Sequence, residues 1–418
     1  SIRIPRQRIL HIEDLCATHY QVRTCRMNLK ILDLGSYIAA PYCCMMLADH
    51  GAEVIRAEPP NGKVDREMGP FLSDGQSLIF GYTIQRNKKD ITLNLRSQRG
   101  KRLLEELAQK MDVVVHNYPK GSEEAAILSY EHLSSINPAL IVTAVSGFGQ
   151  TGPYAERLCF DAVTLAMCGY MSFSGYPGTP PLKPSLSFVD FNAAARAALG
   201  TMMALFERHS SGRGQFIDIA LFDVAFSITT ASGCAGEYKL LGELRKQIGN
   251  AGFYAYCGSL QAKDGYLLIN IIGNSMWRRM CRVMAREDLV LDPRFKDNIS
   301  RARNHPAIDA VLNEWIKDKT VAEAWETLEH AGVTCGPVND VPRSLEVPQV
   351  ASREMLVEIE YPGTGKVPVP GVDIKLSRTP GRVARRASFL GEDNESIYCG
   401  LLGYKPEDLS RFKQEKAI

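Results

Sequence analysis

The chain lacks any marked charge bias: 49 Lys and Arg stand against 47 Asp and Glu in 418 residues, a formal net charge of +2. That balance argues against an electrostatic nucleic-acid binder, and no basic block interleaved with aromatics offsets it. No uninterrupted apolar run approaches the ~20 residues of a membrane-spanning helix, so the expectation is a soluble protein with no membrane partner. No CxxC pair occurs, and no His or Cys pair recurs at ligand spacing, so no metal site is expected. The eleven cysteines are an odd number, mostly set in apolar segments such as Tyr42-Cys43-Cys44-Met45 and Ala166-Met167-Cys168. They read as buried thiols in a reducing compartment, the cytoplasm first. Residues 1–26 are Arg-rich and poorly patterned. They read as an upstream extension or as a targeting remnant, which would place the protein in the mitochondrial matrix; Glu13 and Asp14 weaken the second reading.

What is present is a globular composition, 45% apolar, long enough for two or three folding units. KILDLG at 30–35 reads as a strand, 41–50 as a helix with Pro41 in its first turn, and EVIRA at 53–57 as the next strand. The turn inside this βαβ unit, Gly35-Ser36-Tyr37-Ile38-Ala39-Ala40, lacks GxGxxG, which disfavours NAD or FAD there. Further strands are expected at 90–95, 112–116 and 140–146, with helices at 98–111 and 130–136. The alternation implies a parallel sheet covered on both faces. After residue 215 the texture changes: a strand at 216–220, one long helix at 221–241, a hairpin turned by Lys263-Asp264-Gly265, and helices within 274–332. Residues 336–386 are dense in Pro and Gly and read as an extended surface connection.

The stretch PLKPSLSFVDFNAAARAALGTMMALFERHSSGRGQ at 181–215 carries a helix, with Leu199, Met202, Met203 and Phe206 on one face. Asp190 stands at its start as an N-cap. There its carboxylate would accept backbone N–H groups and feel the helix dipole, so a depressed pKa and full ionisation at neutral pH are expected. An Asp opening a helix is ordinarily a structural cap. His50, His116 and His330 read as helix-end or satisfied polar residues, with no Ser-His-Asp spacing to make one of them a base.

Six segments in order along the chain, ILDLGSYIAAPYCCMMLADHGAEVIRAEPP, RNKKDITLNLRSQRGKRLLEELAQKMDVVVHNY, SGFGQTGPYAERLCFDA, SFVDFNAAARAALGTMMALFERHSSGRGQFIDIALFD, GVTCGPVND and FLGEDNESI, together resemble the class III CoA-transferases. That family includes formyl-CoA transferase and crotonobetainyl/carnitine CoA-transferase and shares its fold with α-methylacyl-CoA racemase. The resemblance implies an α/β fold with a large Rossmann-like parallel-sheet domain at 27–207, completed by about 390–418. A small α+β domain at 247–335 would follow, joined by linkers at 208–246 and 336–389, in an interlocked homodimer.

The same resemblance makes Asp190 the nucleophile that attacks an acyl-CoA thioester to form a mixed anhydride, with backbone donors from a helix N-terminus and from the loop Gly249-Asn250-Ala251-Gly252. Coenzyme A is then a substrate, not a permanently bound cofactor, and a small, plausibly dicarboxylic, acid is its partner. The implied CoA-lining residues are Ile38, Ala39, Leu93, Asn94, Leu95, Arg96, Asn117, Tyr118 and Lys120, with Phe160 and Asp161 beside the reacting centre. Relatives carry a CoA-gripping Arg where this chain has Ala125, and Lys120 is the candidate replacement. The racemase branch carries a His where Phe160 stands; phenylalanine moves no proton, which favours transfer over racemisation. A racemase-like isomerase and a non-catalytic CoA-binding protein are the alternatives. Asp161 reads equally as a helix cap.

Overall fold

A computed structural model describes residues 27–72 and 74–418. The reading of residues 1–26 lies outside the described residues. The amino-terminal part alternates as expected: β1 (Lys30–Asp33), α1 (Ala39–Asp49), β2 (Glu53–Glu58), β3 (Lys88–Thr92), α2 (Gln98–Ala108) and β4 (Val113–His116). After these come α3 (Glu123–Ile127), α4 (Tyr130–Ile136), β5 (Ile141–Ser146), α5 (Asp161–Met167), α6 (Phe188–Ser211) and β6 (Phe216–Ala220). The six strands form one sheet in the order β3-β2-β1-β4-β5-β6, with every neighbouring pair parallel. This is a mixed α/β fold of doubly wound topology, and the order reverses between β1 and β4. In such sheets the crevice at the carboxyl ends of the two strands flanking the reversal is where ligands bind.

Strand side chains alternate between two cores. Ile31, Val54, Val113, Val115 and Ile141 face α1 and α6, while Leu32, Ile55, Ile91, Val114 and Val142 face α2 and the last two helices. Local chemistry fixes the helix starts: Ser97, Ser122 and Ser129 each accept a backbone N–H from the first turn of α2, α3 and α4. Gly35 must be glycine, because a Cβ there would lie 2.7 Å from the Ala40 Cβ and 2.8 Å from the Pro41 Cδ.

The helix expected at 221–241 is broken. It runs as α7 (Leu221–Ala231), a single turn α8 (Cys234–Gly236) and a wider π turn (Glu237–Leu241). Gly233, at φ +91°, takes a left-handed conformation that ends α7. The hairpin appears as β7 (Tyr256–Ala262) and β8 (Gly265–Ile271), joined in an antiparallel sheet by β9 (Cys335–Pro337). Helices α9 (Asn274–Val283), α10 (Asn298–Arg303), α11 (His305–Ile316) and α12 (Val321–His330) lie between β8 and β9. Tyr256, Ile269, Trp277, Leu312 and Leu328 form the core they share.

The region read as an extended connection holds more structure than its Pro and Gly content suggests. It contains α13 (Val341–Leu345), α14 (Pro348–Ser352) and an antiparallel hairpin, β10 (Leu356–Tyr361) with β11 (Gly365–Pro370). Tyr361, Val367 and Val369 pack there on Tyr82. Finally α15 (Asn394–Tyr398) and α16 (Pro406–Gln414) return to the large sheet, where Ile397, Tyr398 and Phe412 join the α2 core. No helix among the described residues is long and apolar enough to cross a membrane.

Candidate active site

The topological crevice is where the sequence candidates gather. The turn after β1 and the turn after β4 bring Tyr37, Ile38, Ala39, Asn117, Tyr118 and Lys120 to the wall of a groove of about 360 Å³. Its other wall carries Phe160, Cys159 and Asp190. Ser36 and Tyr118 also line a wider cavity of about 790 Å³, which is bordered by Leu93, Asn94, Leu95 and Arg96. Among the side-chain candidates from sequence, Asp161 is absent from both linings; its Oδ2 instead accepts the Asp190 N–H. The loop Gly249-Asn250-Ala251-Gly252 is likewise absent from the groove wall. It sits on the 174–179 turn instead, with the Gly249 N–H donating to Gly175 O and the Asn250 amide to the Tyr176 hydroxyl.

Two expectations about Asp190 need correction. The N-cap of α6 is Ser187, so Asp190 is the third residue of the first turn. The anion at that helix end is Asp161: its Oδ2 accepts the N–H groups of Val189 at 2.6 Å and Asp190 at 3.3 Å. Asp161 is thus a cap, but of a helix 27 positions further on, and its own helix begins at it. With those donors taken and Asp161 alongside, the Asp190 carboxyl is not depressed but pushed up to about 7, by burial first and by the Asp161 charge second.

A group with that pKa is largely protonated at pH 6 and ionised above pH 8. If its carboxylate is the attacking form, kcat/KM rises roughly tenfold per pH unit below 7 and levels off above it. Replacing Asp161 with Asn keeps an oxygen for Val189 N–H and removes the repelling charge, so the midpoint moves to lower pH. A pH–rate profile of both proteins is the check, and a flat wild-type profile between pH 5.5 and 8.5 would sink this assignment.

The neighbours are poor rivals. The Cys159 thiol is held up at about 11, by burial before the Asp190 charge. His116, buried at the end of β4, is pushed down to about 4 by burial, and its Nδ1 has no protein partner, so it is neutral but not satisfied as expected. Phe160 stands 61% exposed at the groove and meets Tyr37 edge to face at 5.6 Å.

Beneath the turn lies a set of buried charges that sequence reading missed. Arg56 bonds Glu58 at 2.6 Å and Asp65 at 2.9 Å, and the other Asp65 oxygen accepts the Tyr37 N–H at 2.9 Å. Tyr37 is held at φ +62°, a strained value for a tyrosine. Asn117 closes the turn from the other side, accepting the Ser36 N–H and donating to the Ser36 carbonyl. Arg96 is exposed and is paired with Glu124 at 2.8 Å. Lys120 donates to the Gln150 carbonyl. Residues 147–152 do spell GxGxxG, directly after β5, but no helix follows them until Asp161, so the dinucleotide arrangement is not built.

Fold and crevice together define a doubly wound protein with a half-buried carboxylate lining a groove at the strand ends. The family description "CoA-transferase family III" matches residues 27–394, and the chain belongs to that family. The transferase class read from the sequence therefore stands. Succinyl-CoA–D-citramalate CoA-transferase of Chloroflexus aurantiacus is 33% identical over 395 residues, 94% of this chain and 97% of the relative. Human succinyl-CoA:glutarate CoA-transferase is 31% identical, covering 90% and 86%. Among solved structures, a CAIB/BAIF family protein from Brucella suis superposes with a TM-score of 0.78 at 31% identity, covering 89% of this chain and 98% of that one.

Proposed function

We propose that the chain moves CoA from an acyl-CoA donor to a small dicarboxylic acid through an anhydride on Asp190. The observation that carries this reading is a half-buried carboxylate lining a groove that shares Ser36 and Tyr118 with a cavity bordered by basic side chains. The Asp190 carboxylate attacks the thioester carbonyl, and the C–S bond breaks to release CoA thiolate, leaving the acyl-aspartyl anhydride. The thiolate attacks the aspartyl carbonyl, freeing the donor acid and forming an aspartyl thioester. The acceptor carboxylate then displaces CoA to form a second anhydride, and CoA thiolate attacks its acyl carbon, restoring Asp190. Each thioester is exchanged for another, so no oxidant, metal or permanently bound cofactor is required.

The tetrahedral intermediates need N–H donors. The first turn of α6 is spent: Phe188 N–H bonds Leu186 O, Val189 and Asp190 bond Asp161, and Phe191 bonds Ser187 O. The start of α1, whose Ile38 and Ala39 line the same groove, has no side-chain cap among the described residues and supports the role instead. Dicarboxylic acceptors are supported by the two relatives, whose names pair succinyl-CoA with citramalate and glutarate. Incubation with succinyl-CoA and a panel of mono- and dicarboxylates, read by mass for new thioesters, is the test. Hydrolysis alone, or exchange of an α-proton in deuterated buffer without transfer, would refute it.

The interlocked homodimer belongs to the same reading. Leu199, Met202, Met203 and Phe206 share a face, and α6 buries Ala193, Ala194, Ala197, Thr201 and Ala204 while turning these larger side chains outward. Phe206 is 83% exposed and Leu240 84%. Apolar surface of this size on one chain supports a second copy as its cover. Sedimentation should give twice the monomer mass; a stable monomer at micromolar concentration would contradict it.

A further inference from the structure

We propose that Lys413 and Lys416 form the receptor for the 3′-phosphate of CoA, a role carried by the carboxy-terminal helix and not by the sheet turns; this rests on the reading that CoA thioesters are the substrates. The wide cavity is bordered by four cations, Lys63, Arg96, Lys413 and Lys416, and one acid, Glu124. Two of the cations are already committed. Arg96 is bound by Glu124, and Lys63 is buried with its ammonium donating to the Gly35 carbonyl. Lys413 and Lys416 are exposed and make no ion pair among the described residues. The nearest acid on their own segment, Glu415, instead faces Arg99 at 3.7 Å and Arg411 at 3.9 Å.

Their position is fixed by backbone contacts that leave both ammonium groups free. Lys416 adopts φ +52° and turns the chain back across Asn94. The Asn94 N–H donates to Ala417 O at 2.8 Å, and its side-chain amide donates to Lys416 O at 2.8 Å. The chain just past α16 is thereby fastened to Asn94, in a cavity that Asp190 does not line. A ligand that spans both compartments has its thioester at Asp190 and its nucleotide end here. A phosphomonoester carries about −1.5 to −2 charges near pH 7, the densest charge on CoA, and two free ammonium groups are what such a group selects.

The experiment compares binding of CoA and of dephospho-CoA, which lacks only this phosphate, to the full chain by calorimetry. The wild-type protein should bind CoA roughly 10- to 100-fold more tightly, about tenfold for each lysine, with the gap narrowing as KCl is raised. The variant K413Q/K416Q should close the gap by losing CoA affinity while its affinity for dephospho-CoA stays put, and K413R/K416R should restore it. Equal wild-type binding of the two ligands, or an equal loss of both in the glutamine variant, overturns the assignment and leaves the transferase reading standing. Failure to bind either ligand overturns both.

Discussion

Asp190→Ala and Asp190→Asn should transfer no CoA from succinyl-CoA to any acceptor, a loss on the order of 10⁴-fold or more in kcat. The size follows from the role: every bond made or broken in the proposed cycle passes through this carboxylate, and the Cys159 thiol beside it is held protonated. Hydroxylamine sharpens the test. Wild-type protein incubated with succinyl-CoA should be trapped and inactivated, with the added mass on the peptide containing Asp190, whereas the variants should be indifferent. Folding can be controlled in the same samples. Because the folded carboxyl has a pKa of about 7 against 3.8 for a free one, the protonated form is the stable one in the fold. Stability is lost as pH rises through that window, so Asp190→Asn should melt at or above the wild-type temperature at pH 8, with the difference shrinking toward pH 4. Residual transfer within tenfold of wild type in a melting-competent variant would remove Asp190 from the mechanism.

The second large effect is on stability. Arg56→Met should destabilise the protein by about 3–5 kcal/mol, because it leaves Asp65 buried without its cation and Glu58 with Arg66 alone. Burial alone would push Glu58 up; the two arginines Arg56 and Arg66 reverse that and hold it well below the usual carboxylate range. The variant should also raise KM for acyl-CoA, since Asp65 is what holds the Tyr37 N–H and so the turn that carries Ile38 and Ala39. Denaturant unfolding measures the first effect. The double variant Arg56→Met with Glu58→Gln should recover part of the loss, and a single-variant loss under about 1 kcal/mol would mean the charges are not coupled as the distances imply.

These cases show where sequence reading reaches and where it stops. The alternation of apolar runs placed the parallel sheet, and turn chemistry the hairpin at Lys263-Asp264-Gly265, because both are local; the crevice candidates came from the family resemblance. Three-dimensional pairing is not. That Asp161 rather than Asp190 would cap α6 depends on a loop of some twenty residues folding back; burial first, and the Asp161 charge second, reversed the expected direction of the Asp190 pKa. The outward turn of Leu199 and Phe206 was hidden because periodicity identifies a face without saying whether that face meets the sheet. The proline-rich stretch concealed β10 and β11, whose prolines sit in an antiparallel pair. Lys413 and Lys416 carry no local signal at all; they reach the crevice only because Asn94 binds a backbone more than 300 positions away.

The alanine-lined side of α6 has a further consequence. It rests on α1, where Ala39, Ala40, Cys43 and Ala48 are equally small, and Tyr42 meets Phe191 edge to face at 4.9 Å. The two rods lie so near one another that their separation is set by methyl groups, and both begin at the crevice. A side chain enlarged by even two carbons at Ala194 or Ala197 would act as a wedge. It would move the Asp190 carboxylate relative to the start of α1 without touching either, and, on the proposed role of Asp190, turnover would register the displacement before unfolding did.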